Sequence, residues 1–131
     1  MTGSNIVKQH PLDSVKILLV DDSPDNRIFV SHILKLAGAN VVSAENGDDG
    51  VKAAMANSFD IVLMDLQMPV KDGFEATAEL RSLAFKKPIV ALTAHIMKGD
   101  RERCLNSGFD DHVGKPIDKN LLISAITNLI N

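Results

Sequence analysis

Four short runs in this sequence end on side chains that can do chemistry. "KILLV" leads straight into Asp21 and Asp22, "DIVLMD" ends on Asp65, "PIVALT" on Thr93 and "HVGK" on Lys115. Adjacent carboxylates at the end of a buried run are costly on their own, since two unit charges about 4 Å apart repel by roughly 4 kcal/mol at an effective dielectric near 20. Such a pair is either solvated or partnered by something positive. A single strand-end acid such as Asp65 is ordinarily a solvated loop residue or a helix cap. Three acids, a hydroxyl and a lysine on one edge form a different site. The acids make a hard, oxygen-rich pocket suited to a Mg2+ ion that keeps several waters, and the ammonium and hydroxyl add donors for an anion.

Whether these groups converge depends on the elements that carry them. Short apolar runs predict strands near 15–21, 40–44, 60–65, 88–93 and 112–115. Helix-length amphipathic segments alternate with them. The first opens on Ser23 with Pro24 behind it, an N-cap and first-turn signal. It carries Ile28, Phe29, Ile33, Leu34 and Leu36 and stops at Gly38. Further helices are predicted over 47–57, 73–84, 96–107 and 118–130. The last shows Leu121, Leu122, Ala125, Ile126, Leu129 and Ile130 as a stripe against the sheet. Strict alternation implies an α/β domain, a doubly wound parallel sheet covered on both faces, with right-handed crossovers. Ligands of such sheets sit beyond the strands' carboxyl ends, where the strand order reverses, and the polar side chains fall at those ends.

At 131 residues and 45% hydrophobic content, the chain has the size of one domain with a real core. Residues 1–14, with Gly3, Ser4 and Pro11, read as a flexible N-terminal linker or extension, and 15–131 as the domain. A net charge of -3 and a pI near 5.7 give no basic field for nucleic acid, so no direct nucleic-acid contact is expected. The single cysteine, Cys104, forms no intramolecular disulfide and is expected on the inner face of its helix. No apolar run approaches the ~18 residues of a spanning helix, and "MTGSNIVKQHPLD" lacks a signal-peptide core. The expectation is a soluble cytoplasmic domain with no membrane contact of its own.

Taken together, "VDDSPDN", "LMDLQMPVKDG", "ALTA" and "GKP" resemble the receiver domain of two-component response regulators, over about 15–130. The resemblance implies a flavodoxin-like (βα)5 three-layer sandwich with strand order 2-1-3-4-5. It implies Asp65 as the phosphoryl acceptor, a carboxylate nucleophile that forms an acyl phosphate. Asp22 would bind Mg2+ (or Mn2+ in its place) directly, with Asp65 and the backbone carbonyl of Gln67, while Asp21 would act one water further out. Lys115 and Thr93 would hold the phosphoryl oxygens, with the Lys115–Pro116 bond in cis.

Thr93 would also be the switch, biasing the helix over 96–107, the strand at 112–115 and the last helix. Gly99 within that helix costs about 1 kcal/mol relative to alanine, which makes the helix easier to rearrange. Three residues before Lys115, where many family members carry Tyr or Phe, this chain has His112, either a switch residue or an exposed strand-end histidine. Gln67 and His95, two positions after Asp65 and Thr93, border the path of attacking water in the family and would tune the phosphoryl lifetime.

"DLQMPVKDG" and "ALTAHIMKGDRERCLNSGFDDHVGKPI" most resemble receivers of hybrid histidine kinases. The implied partners are a histidine kinase, a histidine phosphotransfer domain, or both, and the parent chain would be a membrane-anchored hybrid kinase or a stand-alone shuttle. Such a domain is a signalling module that catalyses only its own phosphoryl transfer and autodephosphorylation. A degenerate receiver, acting as a phosphorylation-independent interaction module, is the alternative, against which the intact Asp21, Asp22, Asp65, Thr93 and Lys115 set argues. A haloacid-dehalogenase-like phosphatase needs a second acid two residues after its nucleophile, but Ser23 follows Asp21 and Pro24 follows Asp22. A flavin carrier fits less well: Trp and Tyr are absent, and no Gly-rich loop follows the first strand.

Overall fold

The computed structural model describes residues 10–94 and 100–130. Five strands alternate with five helices among them: β1 (Lys16–Val20), α1 (Pro24–Leu36), β2 (Asn40–Ala44), α2 (Gly47–Ala56), β3 (Ile61–Asp65), α3 (Gly73–Ser82), β4 (Ile89–Thr93), α4 (Asp100–Ser107), β5 (Asp111–Gly114) and α5 (Lys119–Ile130). The sheet is parallel, in the order β2-β1-β3-β4-β5. This is the doubly wound α/β architecture that the alternation predicts.

Period-two alternation along each strand feeds two cores. Ile17, Leu19, Ile61, Leu63, Val90 and Leu92 point to the face covered by α1 and α5, where Val30, Leu34, Leu122 and Ile126 meet them. Leu18, Val20, Val62, Met64, Ile89 and Ala91 point to the other face, against Val51, Ala76, Leu80 and Cys104. Burial on both faces is why the β3 and β4 runs are continuously apolar. Each fully buried Leu or Ile contributes roughly 1.5–3 kcal/mol relative to exposure.

Helix starts are set by side-chain caps. Ser23 accepts from the Asn26 N–H at 3.3 Å ahead of Pro24, and Asn46 accepts from the Asp49 N–H at 2.8 Å. Asp72 and Glu75 form a reciprocal capping box at the start of α3.

Two expectations need correction. The predicted boundary at residue 15 falls inside the folded unit. Leu12 is fully buried in the α1–α5 core, its N–H donates to the Ala37 carbonyl at 2.9 Å, and the Ser14 N–H donates to the Gly38 carbonyl at 3.2 Å. Gly38, at φ +101°, brings the chain so close to Asp13 that a Cβ would sit 2.9 Å from its Cα. Residues 1–9 of the expected linker lie outside the described residues, as do His95 and Gly99. The helix stripes are also narrower than their apolar residues suggest: Leu121, Ile28, Phe29 and Leu36 face outward, more than half exposed.

Candidate functional site

Register brings the acids together. Val20 pairs with Met64, so Asp21 and Asp65 leave neighbouring strands at the same level, and Thr93 pairs with Gly114, one residue before Lys115. The Lys115 N–H donates to the Thr93 carbonyl at 2.7 Å, which ties the two strand exits, and the Lys115–Pro116 bond is cis. Gly73 opens α3 directly against the exit of β3. A Cβ there would lie 2.2 Å from the Asp65 carbonyl oxygen, so only glycine permits the approach.

Asp21 and Asp65 are buried and Asp22 is exposed; one carboxylate oxygen from each lies within 4.8 Å of the others. The Lys115 ammonium stands 3.3 Å from Asp65 Oδ1 and 3.4 Å from Asp21 Oδ2. With all groups ionised, three carboxylates and one ammonium leave two negative charges, and an all-oxygen set with that charge fits a hard divalent cation. Burial, and next the charge of Asp21, push the Asp65 carboxyl up to about 6, against the opposing pull of Lys115 and the Gln67 N–H. That N–H donates to Asp65 Oδ1 at 3.4 Å. The carboxylate is thus held charged, but at a cost that a cation would relieve.

A cavity of about 540 Å3 opens over this cluster, lined among others by Asp22, Gln67, Thr93, Phe74 and Arg103. The Thr93 side chain is buried at its edge. His112 lies elsewhere. Half-buried on β5, it has its Nδ1 4.0 Å from Asp111 Oδ1 and its N–H on the same carboxylate at 2.8 Å. It lines a separate surface cavity with Leu121.

Three contributors escape a reading of the sequence. The Ser23 N–H donates to Asp21 Oδ1 at 2.9 Å, so one serine caps α1 with its hydroxyl and orients an acid with its backbone. Arg27 Nη1 donates to the Asp21 carbonyl at 2.7 Å, fixing the strand exit from α1. Arg103 reaches the cavity from α4, more than eighty residues from Asp21 in the chain. Nothing in the local sequence separates Arg27 or Arg103 from solvated helix residues.

Residues 17–127 match the family model of the response regulator receiver domain. The sensor protein GacS of Pseudomonas syringae is 41% identical over 116 residues, which are 85% of this chain and 13% of that protein. The chain therefore spans a small part of the curated relative it matches. Among solved structures, the receiver domain of the sensor histidine kinase PA1611 from Pseudomonas aeruginosa, with a magnesium ion in its active-site cleft, is 36% identical. Its TM-score is 0.83, over 89% of this chain and 98% of that one. The receiver domain of Ssk1 from Saccharomyces cerevisiae, crystallised with the histidine phosphotransfer protein Ypd1, is 27% identical with a TM-score of 0.84, over 89% of each chain. Fold, strand order and family match agree: the chain belongs to the response regulator receiver domains.

Proposed function

We propose that Asp65 accepts a phosphoryl group from a phosphohistidine on a histidine kinase or histidine phosphotransfer domain, at a Mg2+ site formed by Asp21, Asp22, Asp65 and the Gln67 carbonyl. The observation that carries this reading is the buried Asp65 carboxylate, held between a lysine ammonium at 3.3 Å and two further acids, of which Asp22 lines an open cavity. Asp65 attacks phosphorus, and the phosphorus–nitrogen bond breaks with its electron pair going to the imidazole nitrogen. The products are an acyl phosphate and free histidine. Bound Mg2+ supplies charge neutralisation on the transferring oxygens. Asp21 and Asp22, with Asp65, would hold that cation.

Lys115 passes from the Asp65 carboxylate to a phosphoryl oxygen as the charge moves there. The Thr93 hydroxyl takes another oxygen and draws the chain after β4 inward. Only this difference in contacts between the two states can shift their populations. The surface so switched is α4, β5 and α5, with His112 as its reporter on β5. If His112 has that role, His112→Ala weakens partner binding by the phosphorylated form and leaves the unphosphorylated form unchanged; an unchanged affinity of the phosphorylated form excludes it.

The magnesium of the Pseudomonas receiver and the phosphotransfer partner of the yeast receiver support the same reading, and kinship with GacS supports a parent chain of the hybrid-kinase kind. Among the described residues no helix is long and apolar enough to cross a membrane. The test is incubation with Mg2+ and acetyl phosphate followed by intact mass. A hydroxylamine-labile phosphate adduct is expected, lost in chelator. Its absence with small donors and with a phosphohistidine protein would shift the reading to a phosphorylation-independent interaction module.

A further inference from the structure

Lys115 is already engaged by two carboxylates, whereas Arg103, the cation that lines the cavity, is not. Among the described residues Arg103 forms no ion pair. Its guanidinium carbon instead lies 3.8 Å from the centroid of the Phe74 ring. Phe74 is itself fixed edge-to-face against Phe109, with centroids 6.1 Å apart and planes at 90°. The next residue, Cys104, is buried in the core and anchors α4 beneath the arginine. A guanidinium stacked on a fixed ring loses less freedom when it binds, and its planar fork of donors matches the oxygens of a phosphoryl group.

We propose that Arg103 is the capture site for the incoming phosphodonor: it binds the non-bridging oxygens of the donor's phosphoryl group before transfer, in the cavity that Asp22 and Thr93 also line. The role rests on the reading of Asp65 as the acceptor. It separates two duties between Lys115 at the acids and Arg103 in the cavity. Lys115 serves the acceptor carboxylate and the phosphoryl group once transferred, and Arg103 serves the donor. Asp22 and Asp72 line the same cavity and repel an anion, so a cation in that lining raises the local donor concentration. The guanidinium is exposed, so its effect is on capture and is sensitive to salt.

The experiment compares the full chain with R103A and R103K in saturating Mg2+, taking the second-order rate constant of adduct formation by intact mass at low and high salt. Acetyl phosphate is one donor. Monophosphoimidazole, whose phosphorus–nitrogen bond is that of phosphohistidine, is the other. R103A is expected to lower the rate constant roughly three- to tenfold at low salt, with the gap closing at high salt and R103K falling in between. A loss with both donors supports capture of the phosphoryl group itself; a loss with only one of them marks recognition of that donor's leaving group and overturns the proposal. A wild-type rate constant in R103A overturns the proposal while leaving Asp65 as acceptor. So does a loss that salt does not change, which marks a damaged site. If the unmodified chain forms no adduct with either donor, the acceptor reading falls and the proposal with it.

Discussion

Asp65 is held in a conflict that its pH dependence should expose. Its carboxyl titrates near 6 rather than 3.8, so between those values the folded chain holds a proton that the unfolded chain has released. Without metal, stability therefore falls as pH rises from about 4 to about 6 and stays at the lower level above that, by on the order of 2–3 kcal/mol. Asp65→Asn should abolish this fall and melt higher than the unmodified chain in chelator at pH 7. Mg2+ should erase much of the difference by stabilising only the chain with all three acids. Asp22→Asn should show a smaller gain, because Asp22 is exposed. Melting curves in chelator across pH 4.5–7.5 check both; an equal or lower melting temperature for Asp65→Asn contradicts the repulsion argument. The acids, Thr93 and Lys115 are legible in the sequence because each ends a run whose apolar character announces burial. Arg103 is not, because only the packing of α4 beside α3 brings it to the cavity.

Between elements, Arg81 joins three segments that local pattern cannot relate. From the end of α3 it donates to the Phe85 and Lys87 carbonyls at 2.7 and 2.9 Å, to the Gly108 carbonyl at 3.0 Å, and to Asp110 Oδ2 at 2.9 Å. Asp110 in turn accepts from the Ile89 N–H at 2.8 Å, so the arginine sets the entry into β4 and the turn from α4 to β5. Arg81→Ala removes this donor from the Phe85, Lys87 and Gly108 carbonyls and the cation from Asp110, and should cost about 2–4 kcal/mol in urea unfolding. Lys52→Ala, which breaks an exposed pair with Asp48 at 3.1 Å, should change stability by no more than about 0.5 kcal/mol. Comparable losses in the two variants would contradict this ranking. Helix existence and order are readable from periodicity, but helix facing is less so. Ile28, Phe29 and Leu36 are apolar like Ile33 and Leu34, and only the sheet beneath α1 decides which of them it covers.

For the whole molecule, the fold begins earlier than its first strand. Leu12 sits alone in a polar stretch with no period to mark it, yet it fills the core between α1 and α5 and is fully buried. A chain started at Val15 loses that side chain and the hydrogen bonds to Ala37 and Gly38, and should be less stable by at least about 2 kcal/mol than one started at His10. Equal urea midpoints would make the segment an appendage. The same architecture sends five strand exits to one edge, and the proposal that Asp65 is the phosphoacceptor rests on that convergence. Reductive trapping tests it most directly. After incubation with Mg2+ and acetyl phosphate, borohydride converts an aspartyl phosphate to homoserine, and peptide mass spectrometry then locates the change. Homoserine at position 65, absent in chelator, is the predicted result; homoserine at Asp21 or Asp22, or none in a chain that carries the phosphate, would contradict it.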